Sequence, residues 1–199
     1  MGAKAHLSGY ANVDFTVPEE GDGSVSQVRY APIFHYGFSD WLLFEAELEI
    51  EVGEEGEAEL GMEYADFNIL VNDNMILQVG KFLSPIGQFR QTGIQARGGF
   101  EVAGMRSNYA LFGGNGAEVG VDPMDGDADI ETNGRIGDIA GEHSYGGRLG
   151  LLPLDTLEIG LSYMGGKAGY FNDAEGTGSA DLTIYGADFV YFQNSFALR

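Results

Sequence analysis

The sequence predicts an all-β protein whose strands follow one another as an antiparallel up-and-down meander. Three observations predict it. Apolar and polar side chains alternate with period two over most of the chain. The connections between these segments are alternately short and long, and no segment carries the i, i+3, i+4, i+7 apolar stripe of an amphipathic helix. The 32 Gly, 13 Phe and 10 Tyr among 199 residues agree with strands joined by many tight turns.

The charge and the missing cysteines exclude several classes of protein. The chain has 31 acidic and 10 basic residues, which gives a net charge of −21. This charge argues against a nucleic-acid partner, because few lysine and arginine side chains could neutralise the phosphates. The absence of Cys excludes a disulfide framework, a thiolate metal site and a cysteine nucleophile. The apolar runs are far shorter than the roughly 20 residues of a membrane-spanning helix.

The strands can be assigned in order from the alternation. In the first, Leu7 to Val17 are apolar at every second position, and polar residues from His6 to Thr16 lie between them. In the third, Phe44 to Val52 alternate with four glutamates, which cannot enter a dry core. We predict strands at 6–17, 27–39, 44–52, 57–71, 75–83, 93–100, 104–113, 144–152, 157–165 and 181–192, with an incomplete strand from Phe196.

The connections indicate how the strands are arranged. The short turns fall at 39–40, 72–74, 101–104, 153–156 and 193–195, and the longer links at 18–25, 53–57, 84–92, 114–143 and 166–180. Regular alternation of short and long ends is typical of transmembrane barrels and is unusual for Greek-key sandwiches. We therefore expect a transmembrane β-barrel forming a single domain over residues 1–199, with an acidic external loop around 114–143.

Charged residues at mid-strand predict the lining of the barrel. Arginines 29, 97, 106 and 148 fall at the parity opposite the apolar face, and a charge facing lipid costs roughly 2–4 kcal/mol. Rings of charge inside a pore act as selectivity elements, although the same residues could simply pair across the wall. The predicted pore-lining residues are Arg29, Lys81, Arg97, Arg106, Arg148, Glu45, Glu47, Glu49 and Glu51.

Signals of catalysis and of metal binding are poor. The three histidines are far apart in sequence, and there is no nucleophile elbow or H-E-x-x-H motif, so we do not predict an enzyme. Asp125, Asp127 and Asp129 have the first three ligand offsets of an EF-hand loop, but Ile130 replaces its glycine and Ile136 its final acid. We predict no cofactor, with loose Ca²⁺ binding at these aspartates as the alternative to a solvated acidic loop.

Four segments carry a family resemblance. Residues 31–36 (APIFHY), 42–49 (LLFEAELE), 79–89 (VGKFLSPIGQF) and 186–191 (GADFVY) resemble outer-membrane porins of the phosphate-selective O/P type. The resemblance implies a homotrimer of sixteen-stranded barrels, each with a constriction loop and an arginine ladder, in the outer membrane of a Gram-negative bacterium. The chain is roughly half that length and lacks a long loop after Phe89, so we expect its ten or eleven readable strands to be part of such a barrel.

The expected function is a water-filled channel for passive diffusion of ions and small hydrophilic solutes. Its expected partners are membrane lipid or lipopolysaccharide, and no nucleic acid. The alternative is a structural or interaction barrel of the outer membrane whose acidic loops bind cations or a partner. A third reading, a secreted soluble β-sandwich, would keep the protein in solution without detergent.

Overall fold

The protein is an all-β meander, as the alternation predicts. The computed structural model describes residues 4–17, 22–53, 56–87, 89–121, 128–131, 137, 141–172, 176–193 and 196–198. In sheet order, β1 to β7 are followed by β10 to β13, and the neighbours along this path whose register is given pair antiparallel. The strands are β1 (Lys4–Thr16), β2 (Ser24–Gly37), β3 (Leu42–Val52), β4 (Ala58–Asn72), β5 (Met75–Leu83), β6 (Arg90–Val102), β7 (Met105–Asn115), β8 (Ala117–Val121), β9 (Ala128–Glu131), β10 (His143–Leu154), β11 (Leu157–Asn172), β12 (Gly176–Gln193) and β13 (Phe196–Leu198). Within these residues, no helix is long and apolar enough to cross a membrane.

The strands predicted from the sequence are confirmed, but two further strands were not predicted. Two short strands, β8 and β9, lie inside the segment 114–143 that the sequence presents as a loop. Strand β8 pairs in parallel with Ala168–Tyr170 of β11 and antiparallel with β9. Their sequences, AEVGV and ADIE, do alternate, but runs of four or five residues do not stand out within an acidic, glycine-rich segment. The glycine-rich sequence also hides where β11 ends and where β12 begins. Strand β11 extends to residue 172, and β12 begins at residue 176.

The chain divides into two compact units, residues 1–68 and 69–199, which we describe separately. In the first unit, the register places His6 opposite His35 and His35 opposite Glu45. Directly opposed residues point to the same side of a sheet, so the polar positions of β1, β2 and β3 share one face. We call this the polar face of unit 1. The alternate residues form its apolar face, to which Val13 and Phe34 belong.

The second unit repeats this division. Its register aligns Gln78 with Gln95, Gln95 with Phe112, and Ala110 with both Arg97 and Arg148, which defines the polar face of unit 2. A cluster of buried apolar side chains lies at one end of this face, the end at which the longer connections join the strands. Its members are Phe82, Ile86, Phe112, Ala117, Met164, Ala168 and Leu182.

Outside the apolar cluster of unit 2, burial in both units is inverted with respect to an ordinary soluble protein. Polar side chains are among the least exposed: Asp66 and Asn68 are each 2% exposed in unit 1, and Gln95 is 3% exposed in unit 2. Large apolar side chains are widely accessible, with Val13 at 63% and Leu161 at 62%. In soluble proteins the side chains that are buried are mainly apolar, so a buried polar face beside an exposed apolar face is unusual.

Two adjacent glycines of β6 offer a test of how closely the strands pack. A Cβ atom at Gly98 would collide with the backbone carbonyl of Asn74, whereas at Gly99 its nearest neighbour, Ser107 O, would lie 3.5 Å away. We expect Gly98→Ala to lower the free energy of unfolding by about 1–3 kcal/mol, because backbone must shift to admit the methyl group. Gly99→Ala should change it by no more than about 0.5–1 kcal/mol, in either direction. Denaturant unfolding of the two variants measures the difference, and equal midpoints would contradict the packing described.

Candidate functional site

A row of four glutamates dominates the polar face of unit 1. Strand β3 carries Glu45, Glu47, Glu49 and Glu51 at alternate positions, so that period two places all four carboxylates on the same side. Side chains from neighbouring strands contact every one of them. Glu45 accepts a hydrogen bond from Asn68 Nδ2 at 3.2 Å. The row is therefore a set of fixed, partly neutralised negative charges rather than a string of freely solvated side chains.

Arg29 supplies the counter-charge for two of the glutamates. Its Nε lies 3.4 Å from Glu49 Oε2 and its Nη2 lies 3.3 Å from Glu51 Oε2. Gln27 also donates a hydrogen bond to Glu51. One guanidinium shared between two carboxylates leaves this part of the face with excess negative charge.

A tyrosine two strands away holds Glu47 in position. Tyr10 OH on β1 donates to Glu47 Oε1 on β3 at 2.8 Å. Between them lies Ala31 of β2, the register partner of Tyr10, which is fully buried. The small alanine leaves room for the ring to cross β2, and Glu47 itself is only 8% exposed. The sequence analysis missed Tyr10, although its parity already assigns it to the polar face.

Arg148 is the centre of the charged network of unit 2. Its guanidinium binds both carboxylate oxygens of Asp188, with distances of 3.0 Å from Nε and 2.6 Å from Nη2. Its Nη1 donates to Glu158 at 2.9 Å and to Asn108 at 3.2 Å. A Cβ atom at Gly160 would collide with both the guanidinium and the Asp188 carboxylate. A side chain at position 160 would therefore displace the ion pair where it crosses β11.

The remaining predicted basic residues lie in different surroundings. Arg97 is on the polar face of unit 2 and lines a cavity of about 400 Å³ together with Gln95, Asn108 and Arg148. Arg106 pairs with Asp155 at 2.8 Å, where both side chains are largely exposed at the end with the short turns. The structure thus brings Arg97 and Arg148 to one cavity and leaves Arg106 apart from them.

Lys81 differs from the sequence expectation. The register of β5 with β6 pairs Lys81 with Thr92 and Val79 with Ile94, on the face opposite Gln78 and Gln95. Lys81 therefore lies on the apolar face of unit 2, not beside the arginines. The apolar residues on both sides of β5 hide its phase in the sequence, and only the pairing with β6 defines it.

Most of the candidate calcium ligands lie outside the residues that the structure describes. Asp125 and Asp127 lie outside the described residues, and Asp129 is in β9 but its side chain is not described. Among the side chains that are described, no group of three or more His, Asp or Glu is arranged to hold a metal ion. Calcium binding at these aspartates stays a prediction.

Removal of Arg148 tests the network. We expect Arg148→Met to cost about 1–3 kcal/mol of unfolding free energy, because it leaves Glu158 and Asp188 facing each other without their cation. The loss falls below the roughly 3–5 kcal/mol of a fully buried pair because Asp188 remains 45% exposed. Arg106→Met is the matched control and should cost at most about 1 kcal/mol, since its pair with Asp155 is solvated. Equal losses in denaturant unfolding would contradict this ranking.

Comparison with known proteins assigns no family to the chain. No protein-family model matches it, and no match was found among curated proteins. The function must therefore be argued from the residues of the two polar faces and the two apolar faces themselves.

Proposed function

We propose that the chain forms the wall of a bacterial outer-membrane β-barrel, a porin-type channel for passive diffusion of ions and small hydrophilic solutes. One observation carries the proposal, the inverted burial of side chains in both units. In a barrel of this kind the apolar face meets lipid and the polar face meets a water-filled lumen. An up-and-down antiparallel sheet of eleven successive strands is the matching architecture.

The apolar faces have the character of a lipid contact. Monomeric soluble proteins rarely expose contiguous apolar patches of more than a few hundred Å². On the apolar face of unit 2, the exposed side chains of Phe100, Leu111, Leu149 and Leu161 lie together along a groove of about 770 Å³. Acyl chains of lipid or lipopolysaccharide would fill such a groove, and so would a neighbouring subunit of a homotrimer.

Exposed aromatic side chains occur in both units, in a row of tyrosines on the apolar face of unit 2 and in a turn of unit 1. Three tyrosines of unit 2 form a chain, with ring centroids 6.4 Å apart for Tyr145 and Tyr163 and 5.4 Å apart for Tyr163 and Tyr185. In unit 1, Trp41 lies in the turn between β2 and β3 and is 55% exposed. Tyrosine and tryptophan are enriched at the headgroup level because one end of each ring is apolar and the other polar.

The polar faces favour cations over anions in transit. Arg29 and Arg148 each contact two carboxylates, so neither adds a net positive charge to its surroundings. The glutamate row of β3 keeps its excess of negative charge. Because the preference of a pore follows the charges lining its narrowest part, we propose a mild cation preference.

Spin labels on adjacent residues of β3 test which face meets lipid. The chain has no native Cys, so Leu48→Cys and Glu49→Cys each introduce a single label site. In liposomes, the label at 48 should be relaxed by oxygen dissolved in the bilayer, and the label at 49 by a water-soluble nickel complex. Val13→Cys and Asn12→Cys form the equivalent pair on β1. A water-accessible label at 48 together with a lipid-accessible label at 49 would reverse the assignment.

Reversal potentials in a salt gradient test the ion preference. We expect a cation preference in planar bilayers that falls in the Glu47→Gln, Glu49→Gln double variant and rises in Arg97→Ala. Lys81→Met is the control, because its position on the apolar face should leave the reversal potential unchanged. A clear anion preference that Arg97→Ala or Arg106→Ala abolishes would overturn the proposal and favour a phosphate-type channel. A bilayer without current would instead favour a structural or interaction barrel.

A further inference from the structure

Three side chains on the polar face of unit 1 have the order of a nucleophile, a base and an acid. Ser8 Oγ lies 3.2 Å from His35 Nε2, and His35 Nδ1 lies 3.1 Å from Glu45 Oε1. We propose that Ser8, His35 and Glu45 form an acyl-transfer site that hydrolyses carboxylic esters. This activity does not depend on the proposed channel function, because all three residues belong to unit 1.

The register of three strands brings these residues together. His35 on β2 is directly opposite Glu45 on β3, and it is diagonal to Ser8 on β1, whose own partner is Ile33. Both contacts fall within the hydrogen-bond reach that marks a serine activated by an adjacent, oriented base. The long sequence separations hide the arrangement, because Ser8 and Glu45 approach only after two hairpins have formed.

The acid is itself held in position. Asn68 Nδ2 donates to Glu45 Oε2 at 3.2 Å and to Asp66 Oδ1 at 2.6 Å. Asp66 and Asn68 are each 2% exposed, so the amide has little freedom to turn away. Both oxygens of Glu45 are therefore engaged, one by His35 and the other by Asn68. Glu45 and Asn68 act as positioning residues, whereas Ser8 and His35 would touch the reacting atoms.

Glu45 also selects the tautomer of the base. A carboxylate accepts but does not donate, so the proton of a neutral His35 ring belongs on Nδ1, where it is donated to Glu45. The lone pair then remains on Nε2, which faces the hydroxyl of Ser8 and can accept its proton. This is the protonation state that a general base requires before the first step.

The chemistry balances with water as the only co-reactant. Ser8 Oγ attacks the ester carbonyl carbon while its proton passes to His35 Nε2, and the carbonyl electron pair moves to oxygen. The tetrahedral adduct collapses, the C–O bond to the alcohol breaks, and the alcohol leaves with the proton from His35. Water then adds to the acyl–Ser8 ester, giving up a proton to His35. Collapse of the second adduct releases the carboxylic acid and returns that proton to Ser8.

The surroundings define the class of ester. His6 precedes Ser8 on the same face, and its ring centroid lies 5.7 Å from that of His35. Its ring N–H is the donor that we assign to the developing oxyanion. Ser8 lies on an exposed strand, so that a substrate can approach from the open face. The glutamate row beside the site repels anions. The expected substrates are therefore small neutral or cationic esters.

Covalent labelling tests the nucleophile. We expect a fluorophosphonate probe to modify the folded full-length chain in detergent micelles at Ser8, identified by peptide mass spectrometry. Ser8→Ala should abolish the labelling. Ser26→Ala is the matched control, because Ser26 is also a β-strand serine of unit 1 but pairs with Thr16 rather than with a histidine. Failure of the folded wild-type chain to be labelled, or labelling that survives Ser8→Ala, would overturn the proposal.

Hydrolysis of p-nitrophenyl acetate tests the roles of the other residues. His35→Gln should lower kcat about 10²- to 10⁴-fold, the range of general-base catalysis, with little change in KM. Glu45→Gln should lower kcat less, and Glu45→Asp should restore part of it, which a purely structural role would not do. Circular dichroism confirms that each variant keeps its strands. Wild-type kcat in Ser8→Ala or in His35→Gln would overturn the proposal.

These outcomes are independent of the proposed channel. Labelled Ser8 in a chain that conducts no ions would refute the channel and keep the ester site. Stepwise conductance from a chain that the probe does not label would refute the ester site and keep the channel.

Discussion

Period-two alternation, with polar side chains on the more covered face of each sheet, is the constraint on which the rest of this structure depends. A strand can present one polar face only if every hairpin keeps its register, because a slip of one residue would turn all its side chains over. The register therefore fixes which charges meet. The row from His6 through His35 to Glu45, and the row from Arg97 through Ala110 to Arg148, both follow from it.

On these faces arginines pair with carboxylates, and small residues leave room for the long side chains that reach across strands. Arg29 serves two glutamates, and Arg148 serves Asp188 and Glu158. Tyr10 and Arg148 each reach across an intervening strand to contact a carboxylate, and a small residue on that strand makes the contact possible. Ala31 lies between Tyr10 and Glu47, and Gly160 lies under the Arg148–Asp188 pair. The glycine at position 160 is thus explained by the polar network and not by a turn.

The fold could be predicted from the sequence because the alternation is local and needs no knowledge of pairing. Strands β8 and β9 were missed because their short alternating runs do not stand out within an acidic, glycine-rich segment. Lys81 was assigned to the arginine face because β5 is apolar on both sides. The arginines and glutamates of the site were found from parity alone. Their partners were not, since Asp188 meets Arg148, and Ser8 meets His35, through registers that sequence spacing does not reveal. The inverted burial likewise became visible only in the folded structure.

The central claim is that the exposed apolar faces meet lipid, and the single tryptophan of the chain tests it without any substitution. The fluorescence of Trp41 should be quenched in liposomes by lipids brominated along their acyl chains. Quenching should be strongest for bromines near the headgroups and weaker for bromines at the bilayer centre, because Trp41 lies in a turn at the end of the strands. Emission that no brominated lipid quenches, from protein that stays in the aqueous phase, would contradict the account.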